Sequence, residues 1–264
     1  MIARPRLYAI GSAEAGRDVR AVATRPQERD GVPAGQMQRG RRIVAFARRH
    51  RMALFCWALV AVVVAVSLDV LFDGLLRQWD RWLMLGEGYS DRPVCQSTYQ
   101  HCPGLRLTSG PWFWFWRTVV WGGQYWFVAM LAGIAALVQA VRRRKPWLLV
   151  AVGVWLVADQ GVVWVFKKIF GRTFPAAGID HLWTGAEAYP SGHSALGASC
   201  LLVVAALITG AAARSAMVAA YVLSVGVGFA TVMLGYHWPT DAIAGWAFGI
   251  LVGLFGVEVV RKFS

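Results

Sequence analysis

The sequence predicts an all-α, polytopic membrane protein with six transmembrane helices and an interfacial amphipathic helix between the first two. Three observations lead there. Of 264 residues, 57% are hydrophobic and 14 are Trp, whereas soluble domains are about 45–50% apolar. The apolar residues fall into runs near the ~20 residues that a helix needs to cross the hydrocarbon. Basic residues gather at the ends of those runs, as the positive-inside rule expects. The net charge of +13 is therefore read as topology and contact with anionic headgroups, not as a nucleic-acid footprint.

Residues 1–51 hold no apolar run and are expected to form a disordered, basic, cytoplasmic tail. A cleaved signal peptide needs an apolar stretch soon after its first basic residues, and the sequence has none there. Arg39-Gly40-Arg41-Arg42 and Arg48-Arg49-His50-Arg51 border the first apolar run and hold the N-terminus inside. The membrane domain is expected over 52–264. Its first crossing runs from Met52 to Leu71, with Asp69 and Asp73 at the far end. From Gly74 to Leu85, Leu75, Leu76, Trp79, Trp82 and Leu83 recur at helical spacing among Arg77, Asp80 and Arg81, the pattern of a helix lying in the interface.

The second crossing lies within Trp116 to Val141, led by the aromatic belt Trp112 to Trp116, and stops at Arg142-Arg143-Arg144-Lys145. The third runs from Trp147 to Phe166, the fourth from Ser194 to Ala213, the fifth from Ser215 to Leu234 and the sixth from Ala242 to Val260. With the N-terminus inside, Arg142–Lys145, Arg214 and Arg261-Lys262 are also inside, so both termini are cytoplasmic. Lys167, Lys168, Arg172, His193, His237 and Asp241 then meet at the outer face. Cys95 and Cys102 flank a polar stretch on that side, where a disulfide can form. Cys56 and Cys200 lie in apolar runs and read as packing residues.

Three polar clusters carry the chemistry. Lys167, Lys168 and Arg172 follow the third crossing, either as headgroup anchors or as a phosphate clamp. In Pro190-Ser191-Gly192-His193, serine suits a helix N-cap, and Ser191, Gly192 and the amides beyond them favour an anion beside His193. His237 and Asp241 stand four apart at a helix start, so the carboxylate can hold one ring nitrogen protonated and leave the other as a nucleophile. Two histidines and a carboxylate also suit zinc, but the neighbouring cations repel a divalent ion and attract phosphate. Asp159 and Gln160 sit near the middle of the third crossing. They read as an interhelical hydrogen bond or as a means of positioning Lys167.

These clusters resemble the type 2 phosphatidic acid phosphatase (PAP2) superfamily of integral membrane lipid phosphatases. Its pattern is a Lys, six residues and Arg-Pro; then Pro-Ser-Gly-His; then Ser-Arg, five residues, His, three residues and Asp. The likeness spans roughly Phe166 to Val260 within a PAP2-like core of about 116–260. The resemblance implies that His237 attacks phosphorus, Asp241 orients it, and His193 protonates the leaving oxygen and later helps activate water, with no metal or other cofactor. Lys167 falls on the first lysine, and Ser191 and Gly192 on the second motif. Phe174 and Thr231 stand where the pattern has arginines, and Arg172 and Lys168 are expected to take over as phosphate ligands.

The implied function is a phosphatase for a membrane lipid phosphate, of polyprenyl diphosphate, phosphatidylglycerol phosphate or phosphatidic acid type. It would work at the extracytoplasmic face of a bacterial inner membrane. The partners expected are the lipid substrate and the bilayer, without nucleic acid, and the sequence sets no oligomeric state. The rival readings are a lipid phosphotransferase of the same fold, a non-catalytic lipid-phosphate binder, and an ion transporter built around Asp159.

Overall fold

The structure, a computed structural model, describes residues 34–86 and 109–263, with side chains from His50 onward. The residues expected as the start of the tail, 1–33, and the loop with Cys95 and Cys102 lie outside the described residues. Every regular element among the described residues is helical: α1 (Ala34–Leu71), α2 (Leu75–Leu85), α3 (Gly110–Trp121), α4 (Tyr125–Arg143), α5 (Trp147–Phe170), α6 (Gly192–Leu207), α7 (Ala213–Met233) and α8 (Pro239–Phe263). Two one-turn 3₁₀ segments, Pro175–Ala177 and Gly210–Ala212, flank α6 on either side in the chain. The segments Met1–Arg49 and His50–Ser264 are separate units. Helix α1 already begins at Ala34, so 34–51 is helical and not an irregular tail. Its Ala, Gln, Met and Arg residues are good helix formers.

Among the described residues, five helical segments are long and apolar enough to cross a membrane: His50–Leu71, Tyr125–Arg143, Trp147–Ala177, Gly210–Met233 and Pro239–Phe263. The fourth expected crossing, α6, has 16 residues, short of the ~20 that span the hydrocarbon alone. It is enclosed by its neighbours instead. From Ser194 to Val203 every residue is buried, as befits a helix that is apolar all round.

What lets α6 sit so deep is glycine on α8. Gly245, Gly249 and Gly253 recur every four residues and form one stripe. A Cβ at Gly245 would come within 2.6 Å of the Ser191 carbonyl oxygen, and one at Gly253 within 2.9 Å of the Ser199 Cα. A Cβ at Gly249 would strike the Ala195 backbone. The two backbones therefore touch through small residues, the usual way helices associate in lipid. Gly249→Ala is expected to lower stability by about 1–3 kcal/mol through overpacking. Gly161→Ala, facing open space on α5, is expected to leave stability equal or higher. Thermal unfolding of the two variants in one detergent makes the comparison.

The second expected crossing, placed within Trp116 to Val141, is carried by α4, which starts at Tyr125. Helices α3 and α4 are separate, joined by Gly122-Gly123-Gln124. A Cβ at Gly123 would lie 2.7 Å from the His193 carbonyl oxygen, so the break lets this junction approach the start of α6. Asp159 is fully buried on α5 and accepts a 2.5 Å hydrogen bond from Ser199 Oγ on α6. That contact is the interhelical bond read from the sequence. Cys200 packs in the same core.

Helix α2 is amphipathic as expected. Leu75, Leu76, Trp79 and Trp82 are exposed, while Arg77 and Asp80 are buried against the protein. Asp69 caps the helix by accepting from the backbone N–H groups of Leu76 (3.2 Å) and Arg77 (2.8 Å). The charged face of α2 thus packs toward α8 and the segment after α5.

Candidate active site

The site forms where α5 ends, α6 begins and α8 begins. Ser191 is the N-cap of α6, its Oγ accepting from the Ser194 amide at 3.3 Å. That places His193 in the first turn. The other histidine is set by a turn after α7. Gly235 takes a left-handed conformation, φ 69°, which a glycine adopts without strain. The amides of Tyr236 and His237 then fold back onto the Thr231 carbonyl at 2.8 and 3.3 Å. The two motifs are tied together where the Ser191 amide donates to the Asp241 carbonyl, 3.0 Å.

The histidine rings face each other with centroids 6.1 Å apart at 63°. Both line a cavity of about 230 Å³ with Lys167, Gly192, Gln124, Tyr125, Phe174 and Glu187. A second cavity, about 450 Å³, meets the first at Phe174, His193 and His237 and continues past Ala176, Ala177, Gly235 and Tyr236. The first carries the polar groups and the second is largely apolar. His193 Nε2 is enclosed and has no hydrogen-bond partner among the described residues.

His237 is 4% exposed. Its Nδ1 lies 2.9 Å from the Ala188 carbonyl oxygen. A carbonyl only accepts, so Nδ1 carries the proton and Nε2 is left with a free lone pair. Burial drives the imidazole below its usual range despite the Asp241 carboxylate, which favours the neutral ring that a nucleophile needs. Asp241 Oδ2 is 3.6 Å from Nδ1, too far for a hydrogen bond. The same oxygen accepts from the Trp238 amide at 3.0 Å. The orienting acceptor is thus a backbone carbonyl, with Asp241 as the adjacent negative charge.

Of the expected phosphate ligands, Lys167 and Gly192 line the cavity and three others do not. Arg172 is 0% exposed and faces carboxylates. Its Nε donates to Asp180 Oδ1 (2.8 Å), Nη1 to Thr240 Oγ1 (2.8 Å) and Asp241 Oδ1 (2.8 Å), and Nη2 to Asp80 Oδ2 (2.9 Å) and Asp180 Oδ2 (3.0 Å). All five guanidinium N–H groups are used, so Arg172 does not replace a clamp arginine. Lys168 is exposed and pairs with Glu187 at 2.7 Å. It follows Lys167 by one residue, about 100° round the helix, and so leaves the cavity. Ser191 is fully buried, and its Oγ accepts from the Ser194 amide and from the Ser194 hydroxyl, 3.0 Å away. Lys167 itself donates to the Glu187 carbonyl.

The two vacancies have different outcomes. Phe174 sits in the cavity wall with its ring 5.7 Å from that of His237. Thr231 is fully buried and bonds the Gly228 carbonyl at 2.7 Å. Several contributors were missed from sequence. Arg77 donates from Nε to Asp180 Oδ2 (2.8 Å) and from Nη2 to the Asp180 carbonyl (2.9 Å). Burial alone would raise the Asp180 carboxyl, but hydrogen bonds and charge from Arg172 and Arg77 hold it below the usual range. For Asp80 the signal was its place beside Arg77 and Arg81 on one face of α2. For Asp180, Ala188 and Gln124 the sequence holds no signal.

A 116-residue stretch is 33% identical to the lipid A 1-phosphatase of Porphyromonas gingivalis. It covers 43% of this chain and 24% of that protein, so the chain spans about a quarter of the relative it matches. A crystal structure of the first transmembrane PAP2-type phosphatidylglycerolphosphate phosphatase, from Bacillus subtilis, matches with a TM-score of 0.59. The match covers 81% of this chain and 98% of that one at 18% identity, a likeness of fold. The PAP2 family model matches residues 148–264, which hold both histidines, Lys167 and Asp241. With five helices among the described residues able to cross the bilayer, the chain is an integral membrane protein, and its segment 148–264, which holds the paired histidines, matches the PAP2 superfamily.

Proposed function

We propose that this protein removes phosphate from a membrane lipid through a phosphohistidine on His237. The observation that carries this is the pair of facing imidazoles beside Lys167 in one small cavity. His237 Nε2 attacks phosphorus, forming an N–P bond as the bond to the leaving oxygen breaks. His193 gives a proton to that oxygen and then takes one from water, which hydrolyses the N–P bond. The cation that develops on His237 is stabilised by the Asp241 carboxylate and by the Nδ1–H bond to Ala188. Lys167 offsets charge on the phosphoryl oxygens, and Gly192 lies beside it in the cavity wall.

The substrate class is a polyprenyl diphosphate, phosphatidylglycerol phosphate or phosphatidic acid. The phosphoryl group would occupy the polar cavity and the adjoining apolar one would take a neighbouring part of the lipid. The site is assigned to the extracytoplasmic face of a bacterial inner membrane. The support is charge: Arg142, Arg143, Arg144 and Lys145 precede α5 and the site follows it, 24 helical residues or about 36 Å away. Purified protein should release phosphate from at least one of these lipids in the presence of a chelator. Silence across the whole panel, with folded protein in lipid, would refute the reading.

A further inference from the structure

Helix α2 lies outside the segment 148–264 matched to the family, yet one of its side chains reaches the base of the site. Asp80 is 1% exposed. Its Oδ1 accepts the Thr240 amide at 3.1 Å, and Oδ2 accepts Arg172 Nη2 at 2.9 Å and the Thr240 hydroxyl. Thr240 Oγ1 in turn accepts from Arg172 Nη1 at 2.8 Å, the same nitrogen that holds Asp241 Oδ1 at 2.8 Å. Asp80 and Asp241 therefore share one guanidinium, and the partner of Asp80 on the other side is the first turn of α8, which carries Asp241.

We propose that Asp80 is a positioning residue for the reaction: it fixes the start of α8 and draws part of the Arg172 charge away from Asp241, leaving that carboxylate able to stabilise the His237 cation. The amide of Thr240 lies at a helix N-terminus, where a carboxylate is favoured, and Asp80 supplies it from another helix. Burial pushes the Asp80 carboxyl up to about 6, which leaves it ionised at neutral pH. Without that charge, the guanidinium is held by Asp180 and Asp241 alone, and Asp241 is more fully neutralised. The helix that presents Trp79 and Trp82 outward thereby presents a functional carboxylate inward.

The inference rests on the phosphatase reading for its kinetic arm. In Asp80→Asn, assayed as full-length protein on a lipid that the wild type hydrolyses, kcat is expected to fall about 10–100-fold, the range for groups that orient a reacting side chain. KM should stay within about threefold and the protein should remain folded by thermal unfolding. Thr240→Val breaks the same link and should act in the same direction, and the double variant should be less than additive. A folded Asp80→Asn with kcat within about twofold of wild type overturns the proposal. If Asp80→Asn does not fold, Thr240→Val is judged by the same criterion.

A second arm needs no turnover. Carbethoxylation of His237 by diethyl pyrocarbonate, read by mass spectrometry against His181 as internal reference, should slow about threefold or more in Asp80→Asn. Equal rates overturn the proposal. If the wild type hydrolyses nothing on the panel, the phosphatase reading fails and the carbethoxylation rates alone decide the role of Asp80.

Discussion

His237→Ala is expected to abolish phosphate release, with a loss of roughly 10⁴-fold or more, the scale seen when a nucleophile is removed. No other side chain in the cavity can replace it. His193 is the nearest candidate, with its ring centroid 6.1 Å away, and it is already assigned to the proton transfers. His193→Ala is expected to be nearly as damaging on lipids with a poor leaving group and milder where the leaving oxygen needs no proton. Because burial keeps the His237 imidazole below its usual range, the acid limb of kcat/KM should lie below pH 6.5, the ordinary midpoint of histidine. Phosphate assays on purified variants from pH 4 to 8 test all three expectations.

Arg172→Ala is expected to lose the folded site, not just affinity for phosphate. The guanidinium is fully buried among Asp80, Asp180 and Asp241, and its removal takes this cation from all three, while Asp180 keeps Arg77. Breaking one buried pair costs about 3–5 kcal/mol, which rivals the whole stability of many domains. Arg172→Lys should not rescue it, since an ammonium cannot reproduce five planar donors. Thermal unfolding in detergent distinguishes this from a ligand role. A folded Arg172→Ala of wild-type stability with only a raised KM would mean that Arg172 meets the substrate.

The sequence made the transmembrane architecture legible because runs such as Met52–Leu71 and Ala242–Val260 have few other physical solutions. It also showed both histidines, since Pro190-Ser191-Gly192-His193 and the His237–Asp241 spacing are local patterns. Properties that depend on which way a face points stayed hidden. Arg77 and Asp80 alternate with tryptophans whether the charged face meets headgroups or protein, so the same amphipathic pattern fits both. Arg172 was read as a clamp because it is a cation two residues from Phe174. Its partners Asp80 and Asp241 are 92 and 69 residues away in sequence, and no periodicity links them. The α3–α4 break had a local cue in Gly122-Gly123, but its reason, close approach to His193, is tertiary.

In the proposed mechanism His237 carries the phosphoryl group during turnover. Protein mixed with a lipid phosphate labelled at phosphorus and quenched within one turnover tests it most directly. An acid-labile, alkali-stable label is expected on the protein, mapped to His237 and missing from His237→Ala. Steady turnover with no trapped label, or a label that survives in His237→Ala, would contradict it.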